Sequence, residues 1–396
     1  MDSSILIIVL SLSVLISYAF DLFSSRFNMP SVLLLLLLGM LTRQATDYFG
    51  VQVPYVNTIL PTLGTLGLIL IVLENGLDLE LYTEKLNLLR RTLLASLLSI
   101  IGATLLMAGT LYLLLNDSFY HCLVAALPFS IISSAVVIPG IASLSIGQRE
   151  FMVYESAFAG ILGVMAYNFL LLSRYSVWEA IWTFTRDTLT MALLSLICCF
   201  LLLYLIGRIN HRIKFLPIIS VLFLVYAIAE LNHLSSLLLI LIFGLFLNNT
   251  ELFVRGRLNL VLKNDLFEKE LEQLKNLTAE GGFVVRTFFF LILGYSIVPQ
   301  ALIDIDALIV SCLFIALVVL WRWVTLRLTF RGGSNPLLWI APRGLITILL
   351  YLNIPQDLRL LGFREGIPIL VVVLSSLVMV AGVRRRSVSE GEKGIE

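Results

Sequence analysis

A carboxylate, Glu155, lies within the predominantly apolar run 151–165. A charged side chain at the centre of a bilayer costs about 2.5–3.5 kcal/mol on insertion scales, so it normally has a partner or lines an ion pathway. Three further charged residues lie in apolar surroundings, namely Glu74, Arg286 and Arg343. Two acids and two bases of this kind can form buried ion pairs, or bind and release a cation or a proton.

The composition indicates that these residues belong to a polytopic membrane protein. Of the 396 residues, 59% are apolar and only 13% are charged, and runs such as 31–38 have no polar side to turn towards water. The formal net charge is +1, so charge gives no reason to expect nucleic acid as a partner. The lipid bilayer is therefore the first partner that the sequence predicts.

The hydropathy pattern predicts an all-α fold with thirteen transmembrane helices, since a spanning helix needs about 20 predominantly apolar residues. The segments run approximately over residues 4–22, 29–43, 58–77, 90–115, 120–145, 150–173, 180–207, 215–231, 233–249, 279–299, 303–325, 335–353 and 366–383. The one long polar connection, 250–278, is predicted to form an amphipathic helix on the cytoplasmic face.

Basic residues predict how these segments are oriented. Most of the 27 lysines and arginines, Arg322 and the cluster 384–386 among them, are assigned to the side opposite the N-terminus. Positively charged loops stay in the cytoplasm, so the N-terminus is predicted to lie outside and the C-terminus inside a bacterial-type inner membrane. Arg286 and Arg343 are assigned to the interior of predicted segments.

Thirteen segments divide into two inverted six-helix repeats around a linker, which is a transporter architecture. The predicted repeats cover 4–173 and 215–383, and the linker covers 180–207. Together they form a single integral membrane domain, 1–386, followed by a cytoplasmic tail, 387–396, that is predicted to be disordered.

Equivalent positions in the two repeats pair the fifth segment with the twelfth, and both are interrupted by helix-breaking residues. The fifth contains Pro128 and Pro139-Gly140, and the twelfth contains Pro336, Pro342 and Gly344. Proline removes a backbone donor and clashes with the preceding turn, so both helices are predicted to open within the membrane. Discontinuous helices at corresponding positions indicate a transport site, although each break taken alone also fits a simple kink.

The partner expected for Glu155 is Arg343, because segment six packs beside the broken segment twelve in an inverted-repeat fold. Arg343 has an alternative role, which is to satisfy carbonyls freed by the break. Arg286 lies too deep for its side chain to reach the interface easily. Glu74 either lines a water-filled funnel or belongs to a solvated helix end with its acidic neighbours.

Other chemistries find little support in the sequence. The three histidines are widely separated, and the four cysteines lie in apolar runs, where they behave as small hydrophobic residues. No metal site and no cofactor are expected.

Several motifs, taken in order with the thirteen-segment layout, resemble the monovalent cation:proton antiporter family. The motifs are LENGLDL at 73–79, ISSA at 132–135, Glu155-Ser156, RTFFF at 286–290 and PRGLIT at 342–347. The resemblance implies the antiporter fold, with crossed discontinuous helices five and twelve, and a homodimer in which a core domain moves against a dimerisation domain. It implies exchange of Na⁺ or K⁺ for H⁺.

The same resemblance implies roles for individual residues. Glu155 and Arg343 form a structural ion pair, and Arg286 stabilises the helix crossing. The candidates for the ion path are Glu74, Ser133, Ser134, Ser156 and Gly160.

Gly160 marks a departure from the family pattern. Family members commonly carry Glu-Ser-x-x-Asn-Asp on helix six, whereas this chain has Ala159 and Gly160 in the last two positions, and the Thr-Asp-Pro of helix five is replaced at 135–137. A monovalent cation needs oxygen ligands and a competing proton needs a titratable one, and glycine supplies neither.

Three explanations remain open. In the first, another carboxylate has taken over the function, and Glu74 is a better candidate for it than Glu155. In the second, the chain keeps the fold but does not transport, and serves as a regulatory or scaffold subunit. In the third, Ala159 and Gly160 are an engineered inactivation. A passive cation channel is a further alternative. Without the resemblance, Ser156 and Gly160 indicate a small face for close helix packing.

Overall fold

The structure is a computed structural model of the whole chain. The residues that it describes are 3–27, 30–48, 56–81, 85–141, 144–173, 177–208, 215–231, 236–249, 265–297, 299–330 and 335–393.

The described residues are almost entirely helical, and no strand occurs among them. A short 3-10 turn covers Gln356–Leu358. The helices in chain order are α1 (Ser3–Phe27), α2 (Ser31–Tyr48), α3 (Val56–Asp78), α4 (Leu86–Leu115), α5 (Phe119–Ser130), α6 (Ser134–Gly140), α7 (Ile146–Leu172), α8 (Val177–Arg208), α9 (Phe215–Leu231), α10 (Ser236–Asn248), α11 (Asp265–Ser296), α12 (Pro299–Ile303), α13 (Ile305–Thr329), α14 (Asn335–Trp339), α15 (Leu345–Leu352) and α16 (Ile367–Lys393).

Each of the thirteen predicted segments overlaps one of these helices or a pair of them. Among the described residues, six spans are long and apolar enough to cross a membrane: Thr58–Asp78, Leu86–Leu115, Phe119–Ile138, Ile146–Leu172, Leu271–Ser296 and Ile305–Thr329. Shorter apolar helices cover Ser11–Phe23, Ile219–Leu231, Ser236–Asn248 and Ile367–Val383. That thirteen helices cross the membrane, in two inverted repeats, stays a prediction.

Two helices extend beyond the segments predicted from hydropathy. α11 begins at Asp265, so the later part of the predicted amphipathic connection is continuous with segment ten, while residues 250–264 lie outside the described residues. α16 continues to Lys393, so most of the tail assigned as disordered is helical.

The chain forms two compact units. The first unit comprises residues 1–67, 90–159 and 283–396, and the second comprises 68–89 and 160–282.

In the first unit, α13 packs on α14 and α16, and α15 packs on α5 and α16. Its core is an apolar cluster in which the ring of Phe129 on α5 lies 5.5 Å from that of Phe314 on α13 and 5.9 Å from that of Tyr351 on α15. Aromatic contacts of this kind hold the interrupted helices against a continuous one.

In the second unit, α10 packs between α8 and α9. The end of α3 approaches α10 closely, because a Cβ at Gly76 would lie 2.9 Å from the carbonyl oxygen of Leu241 and 3.1 Å from Cα of Gly244. The side chain of Asn249 holds the residues after α3 in place through two hydrogen bonds. Its Nδ2 atom donates to the carbonyl oxygen of Leu79, and its Oδ1 atom accepts from the amide of Leu81.

The predicted interruptions of segments five and twelve are confirmed. α5 ends at Ser130, two residues after Pro128, and α6 begins at Ser134. The second break covers residues 340–344, between α14 and α15, and contains Pro342. The second break follows from local sequence, because proline cannot donate to the helix ladder and forces the preceding residue out of helical conformation. The first break, 131–133, contains no proline and comes after Pro128, which lies inside α5.

Candidate functional site

Glu155 forms a buried ion pair with Arg322. Nη1 and Nη2 of the arginine donate to Oε1 and Oε2 of the glutamate, each at 3.0 Å. The two residues are 0% and 2% exposed. This two-bonded geometry is among the strongest that proteins use for carboxylates, and it makes the pair electrically neutral as a unit.

The prediction that Glu155 pairs with Arg343 is therefore wrong, because the partner of Glu155 is Arg322. Arg322 reaches the carboxylate because it lies about two turns before the end of α13, well inside the helix. The charge pattern counts Arg322 on the cytoplasmic side, near the end of predicted segment 303–325, whereas the structure buries its side chain.

Neighbouring groups hold the Arg322 guanidinium in place. Nε donates to the carbonyl oxygen of Leu337 on α14 at 2.7 Å, and Nη2 lies 3.2 Å from Sδ of Met152, one turn before Glu155. The hydroxyl of Ser96 on α4 lies 2.8 Å from the backbone oxygen of Glu155. The pair and the Leu337 carbonyl thus connect α7, α13 and α14 through hydrogen bonds.

An N-terminal cap and a tryptophan side chain fix the position of α13, the helix that carries Arg322. Asp304 caps the N-terminus by accepting from the amide of Asp306, and both acids suit the positive end of the helix. Nε1 of Trp321 donates to the backbone oxygen of Leu98 at 2.7 Å. The sequence signal for a buried arginine was present, because Arg322 follows an apolar run of about four turns and is flanked by tryptophans.

The two helix breaks cross in direct backbone contact. The amide of Ser133 donates to the carbonyl oxygen of Pro342 at 3.0 Å. A Cβ at Gly344 would lie 2.3 Å from Oγ of Ser133 and 2.7 Å from its Cβ, so the crossing requires glycine there. Of the predicted ion-path residues, Ser133 is the one that the structure brings to the crossing.

Arg343 lies in the second break and is 1% exposed. Its backbone amide donates to Oγ of Ser375 on α16 at 3.0 Å. Its side chain differs from that of Arg322, because neither Nη1 nor Nη2 has a hydrogen-bond partner among the described residues. The alternative role for Arg343, capping freed carbonyls through these nitrogens, likewise has no bond to support it in the described part of the chain.

The other candidates near these helices occupy less distinctive places. Ser156 is buried on α7, and its hydroxyl donates to the carbonyl oxygen of Val153 at 3.1 Å. Ser134 is half-buried at the start of α6. Ala159 and Gly160 are both buried on α7 and bring no ligand atom beyond the backbone.

Glu74 and Arg286 lie apart from the Glu155–Arg322 pair in the chain. Glu74 is half-buried on α3 in the second unit, where a Cβ at Gly282 would lie 3.6 Å from its Oε2 atom. Arg286 is half-buried on α11, and its Nε atom has no hydrogen-bond partner among the described residues. The role of Arg286 at the crossing stays a prediction.

Comparison with known proteins decides the family. The profile of the transmembrane sodium/hydrogen exchanger family matches residues 10–384, which is nearly the whole chain. The chain belongs to the sodium/hydrogen exchanger family. The resemblance found in the sequence motifs is thereby confirmed, and members of this family are transporters rather than enzymes.

Solved structures show that the exchanger fold is shared. The chain is similar to the sodium proton antiporter MjNhaP1 from Methanocaldococcus jannaschii at pH 8, with a TM-score of 0.71, 15% identity, and coverage of 97% of this chain and 96% of that one. A second structure of that antiporter, from electron microscopy, has a TM-score of 0.67, 15% identity and coverage of 99% and 97%. No curated protein matches the chain.

Proposed function

We propose that this chain exchanges a monovalent cation, Na⁺ or K⁺, for protons by alternating access. The observation that carries the proposal is the crossing of two interrupted helices at Ser133, Pro342 and Gly344. Unpaired backbone groups at such breaks bind cargo and coupling ions in secondary transporters. Membership in the exchanger family supports the same activity.

Glu74 is the carboxylate that we assign to the exchange of cation and proton. Glu155 is less suited, because Arg322 already binds both of its carboxylate oxygens. Gly160 has no side chain to offer. Glu74 is half-buried and retains a titratable group within an apolar helix, which is what competition between a cation and a proton requires.

Transport by the purified protein tests this proposal. Proteoliposomes containing a pH-sensitive dye should respond to Na⁺, K⁺ or Li⁺ across the neutral pH range. Glu74→Gln should abolish the response. Glu80→Gln is the control and should retain it, because Glu80 lies in the same stretch but forms a partly exposed ion pair with Lys275 at 3.8 Å. Exchange that persists in Glu74→Gln would refute the assignment of Glu74.

A transport-inactive family member is the second candidate, and the buried Ala159 and Gly160 favour it. It predicts no dye response from the unsubstituted chain and a stable protein partner on purification. Gly160→Asp, alone and combined with Ala159→Asn, then tests whether inactivity is caused by the lack of a carboxylate at position 160. A dye response that appears only in the substituted protein would show that it is. Cation flux without proton counterflow would instead indicate a passive channel.

We also propose a homodimer, as in the family resemblance, with the N-terminus outside an inner membrane. Light scattering of the detergent-solubilised protein measures its oligomeric mass. A monomeric mass at all concentrations would contradict the dimer.

A further inference from the structure

A cavity in the first unit lies where two apolar spans end. Its volume is about 320 Å³, within the range of roughly 300–1,000 Å³ that is typical of pockets for small molecules. Its walls come from Leu111 and Leu115 on α4, Asp306 and Val310 on α13, and Ile367 at the start of α16. Both α4 and α13 are long and apolar enough to cross a membrane. The cavity is therefore bounded by helices that contact the bilayer.

The cavity extends from the ends of these helices into the apolar part of the spans. Leu115 is the last residue of α4 and Asp306 is the second residue of α13, so this end of the cavity lies level with the helix ends. Leu111 and Val310 lie four residues further in, which is about one turn or 6 Å along each helix. One end of the cavity is thus at the level of lipid headgroups, and the other reaches the depth of acyl chains.

The protein surface around the cavity suits lipid rather than water. Leu361, next to the lining residue Gly362, is 87% exposed, and Ile305, next to the lining residue Asp306, is 70% exposed. Large apolar side chains that are exposed side by side are unfavourable in water. A ligand that reaches the cavity across this surface is therefore a molecule dissolved in the bilayer.

The charged residues at the headgroup end of the cavity are Asp304, Asp306 and Arg364. Nη2 of Arg364 donates to Oδ2 of Asp306 at 3.2 Å, and its Nε atom lies 3.3 Å from Oδ2 of Asp304. A guanidinium has more donors, and a carboxylate more acceptor sites, than these contacts use. Two carboxylates and one guanidinium sum to one negative charge. The group therefore suits a headgroup in which an ammonium lies close to a phosphate, and it repels a headgroup that is only anionic.

We infer that this cavity binds an aminophospholipid of the phosphatidylethanolamine class. The ammonium of the headgroup binds Asp306, the phosphate binds Arg364, and one acyl chain packs against Leu111 and Val310. The bound lipid bridges the ends of α4 and α13 and the start of α16. The site does not rest on cation exchange, and it is measured without any transport assay.

Native mass spectrometry of the full chain in detergent tests the site. The delipidated protein is mixed with phosphatidylethanolamine, phosphatidylglycerol or phosphatidylcholine that carry the same acyl chains. Phosphatidylethanolamine should be retained at several-fold lower concentration than the other two lipids, because phosphatidylglycerol has no ammonium and the trimethylated ammonium of phosphatidylcholine has no N–H donor. Retention of either of these lipids equal to or above that of phosphatidylethanolamine would overturn the inference.

A bulky side chain in the cavity wall locates the bound lipid. Ile309→Trp, in the wall of the cavity, should reduce retention of phosphatidylethanolamine several-fold. Leu320→Trp is the matched control, because Leu320 lies about three turns further along the same helix, outside the cavity lining, and is 60% exposed compared with 58% for Ile309. Its retention should equal that of the unsubstituted protein. Unchanged retention in Ile309→Trp would overturn the location.

Removal of one negative charge tests how the headgroup is recognised. Asp306→Asn should lower the preference for phosphatidylethanolamine over phosphatidylglycerol several-fold. Asp47→Asn should keep the full preference, because Asp47 pairs with Arg43 at the end of α2 and is 68% exposed, close to the 70% of Asp306. Both exposed aspartates can be replaced without opening the core. A full preference in Asp306→Asn would overturn the role of this carboxylate.

Discussion

Two buried arginines in the first unit, Arg322 and Arg343, have different hydrogen-bonding surroundings. Arg322 reaches a carboxylate, a carbonyl and a thioether, so its charge is neutralised and its donors are used. Arg343 has a bonded backbone amide but terminal nitrogens without described partners. The difference lies in what faces each side chain, because a guanidinium is charged in both environments.

The Glu155–Arg322 pair should behave as a coupled unit. Glu155→Gln or Arg322→Gln alone should lower the free energy of unfolding by about 3–5 kcal/mol, because each leaves one charge buried without its partner. The double variant should lose less than the sum of the two singles. Melting temperature and purification yield measure the effect.

Arg327→Gln is the control for this prediction. Arg327 lies on the same helix, but it is exposed and stacks over the ring of Trp323 at 3.8 Å, so its loss should cost roughly 0.5–1 kcal/mol. If Glu155→Gln and Arg322→Gln melt at the same temperature as the unsubstituted protein, the pair contributes nothing to the stability of the fold.

At the scale of elements, the crossing of the two breaks depends on the absence of side-chain atoms. Ser133 donates its amide to Pro342, and this bond can form only if the backbones approach closely. Gly344 permits that approach, since its position has no space for a Cβ. Pro342 lies in the second break, and Gly344 lets the two interrupted segments meet.

Gly344→Ala should disrupt the crossing. The added methyl group would overlap Ser133, and overpacking of this kind costs about 1–3 kcal/mol, seen as a lower Tm. Ser133→Gly in the same protein should restore part of the loss, because it removes the two nearest of the three atoms that the methyl group meets.

Gly109→Ala is the matched control for this effect. Gly109 lies within α4, where a Cβ would meet nothing within 4 Å, and alanine there should stabilise the helix by up to roughly 1 kcal/mol. Equal Tm values for the Gly344 and Gly109 variants would contradict the close-approach argument.

At the scale of the molecule, apolar side chains cover the outer surface as well as the interior. Leu113, Leu189 and Leu328 are more than two-thirds exposed, at 82%, 72% and 71%. Such a surface is unfavourable in water and suits lipid, which agrees with a multi-pass membrane protein in the exchanger family.

The positive-inside pattern predicts which side each terminus occupies. A green fluorescent protein fused after the C-terminus should fluoresce in bacterial cells, because it folds in the cytoplasm, whereas the same fusion at the N-terminus should not. Alkaline phosphatase fusions should give the opposite activities. A fluorescent N-terminal fusion would show that the number of spans, and with it the assignment of loops to sides, is wrong.

The sequence by itself determined the class of the protein and the positions of its breaks. Hydropathy counts apolar residues along the chain, so every predicted segment overlaps a helix, and Pro342 lies in the second break, where it interrupts helical hydrogen bonding. That Gly160 stands where the family resemblance implies an acid stays a prediction from the motif.

Only the tertiary structure decided the partners of the buried charges. Glu155 is about as far along the sequence from Arg322 as from Arg343, and no local rule chooses between them. The choice depends on how α13 is oriented against α7, which Trp321, Leu98 and the packing around them decide through distant contacts. The close approach of Gly344 to Ser133 is likewise set by packing, because two residues far apart in sequence meet only after the chain has folded.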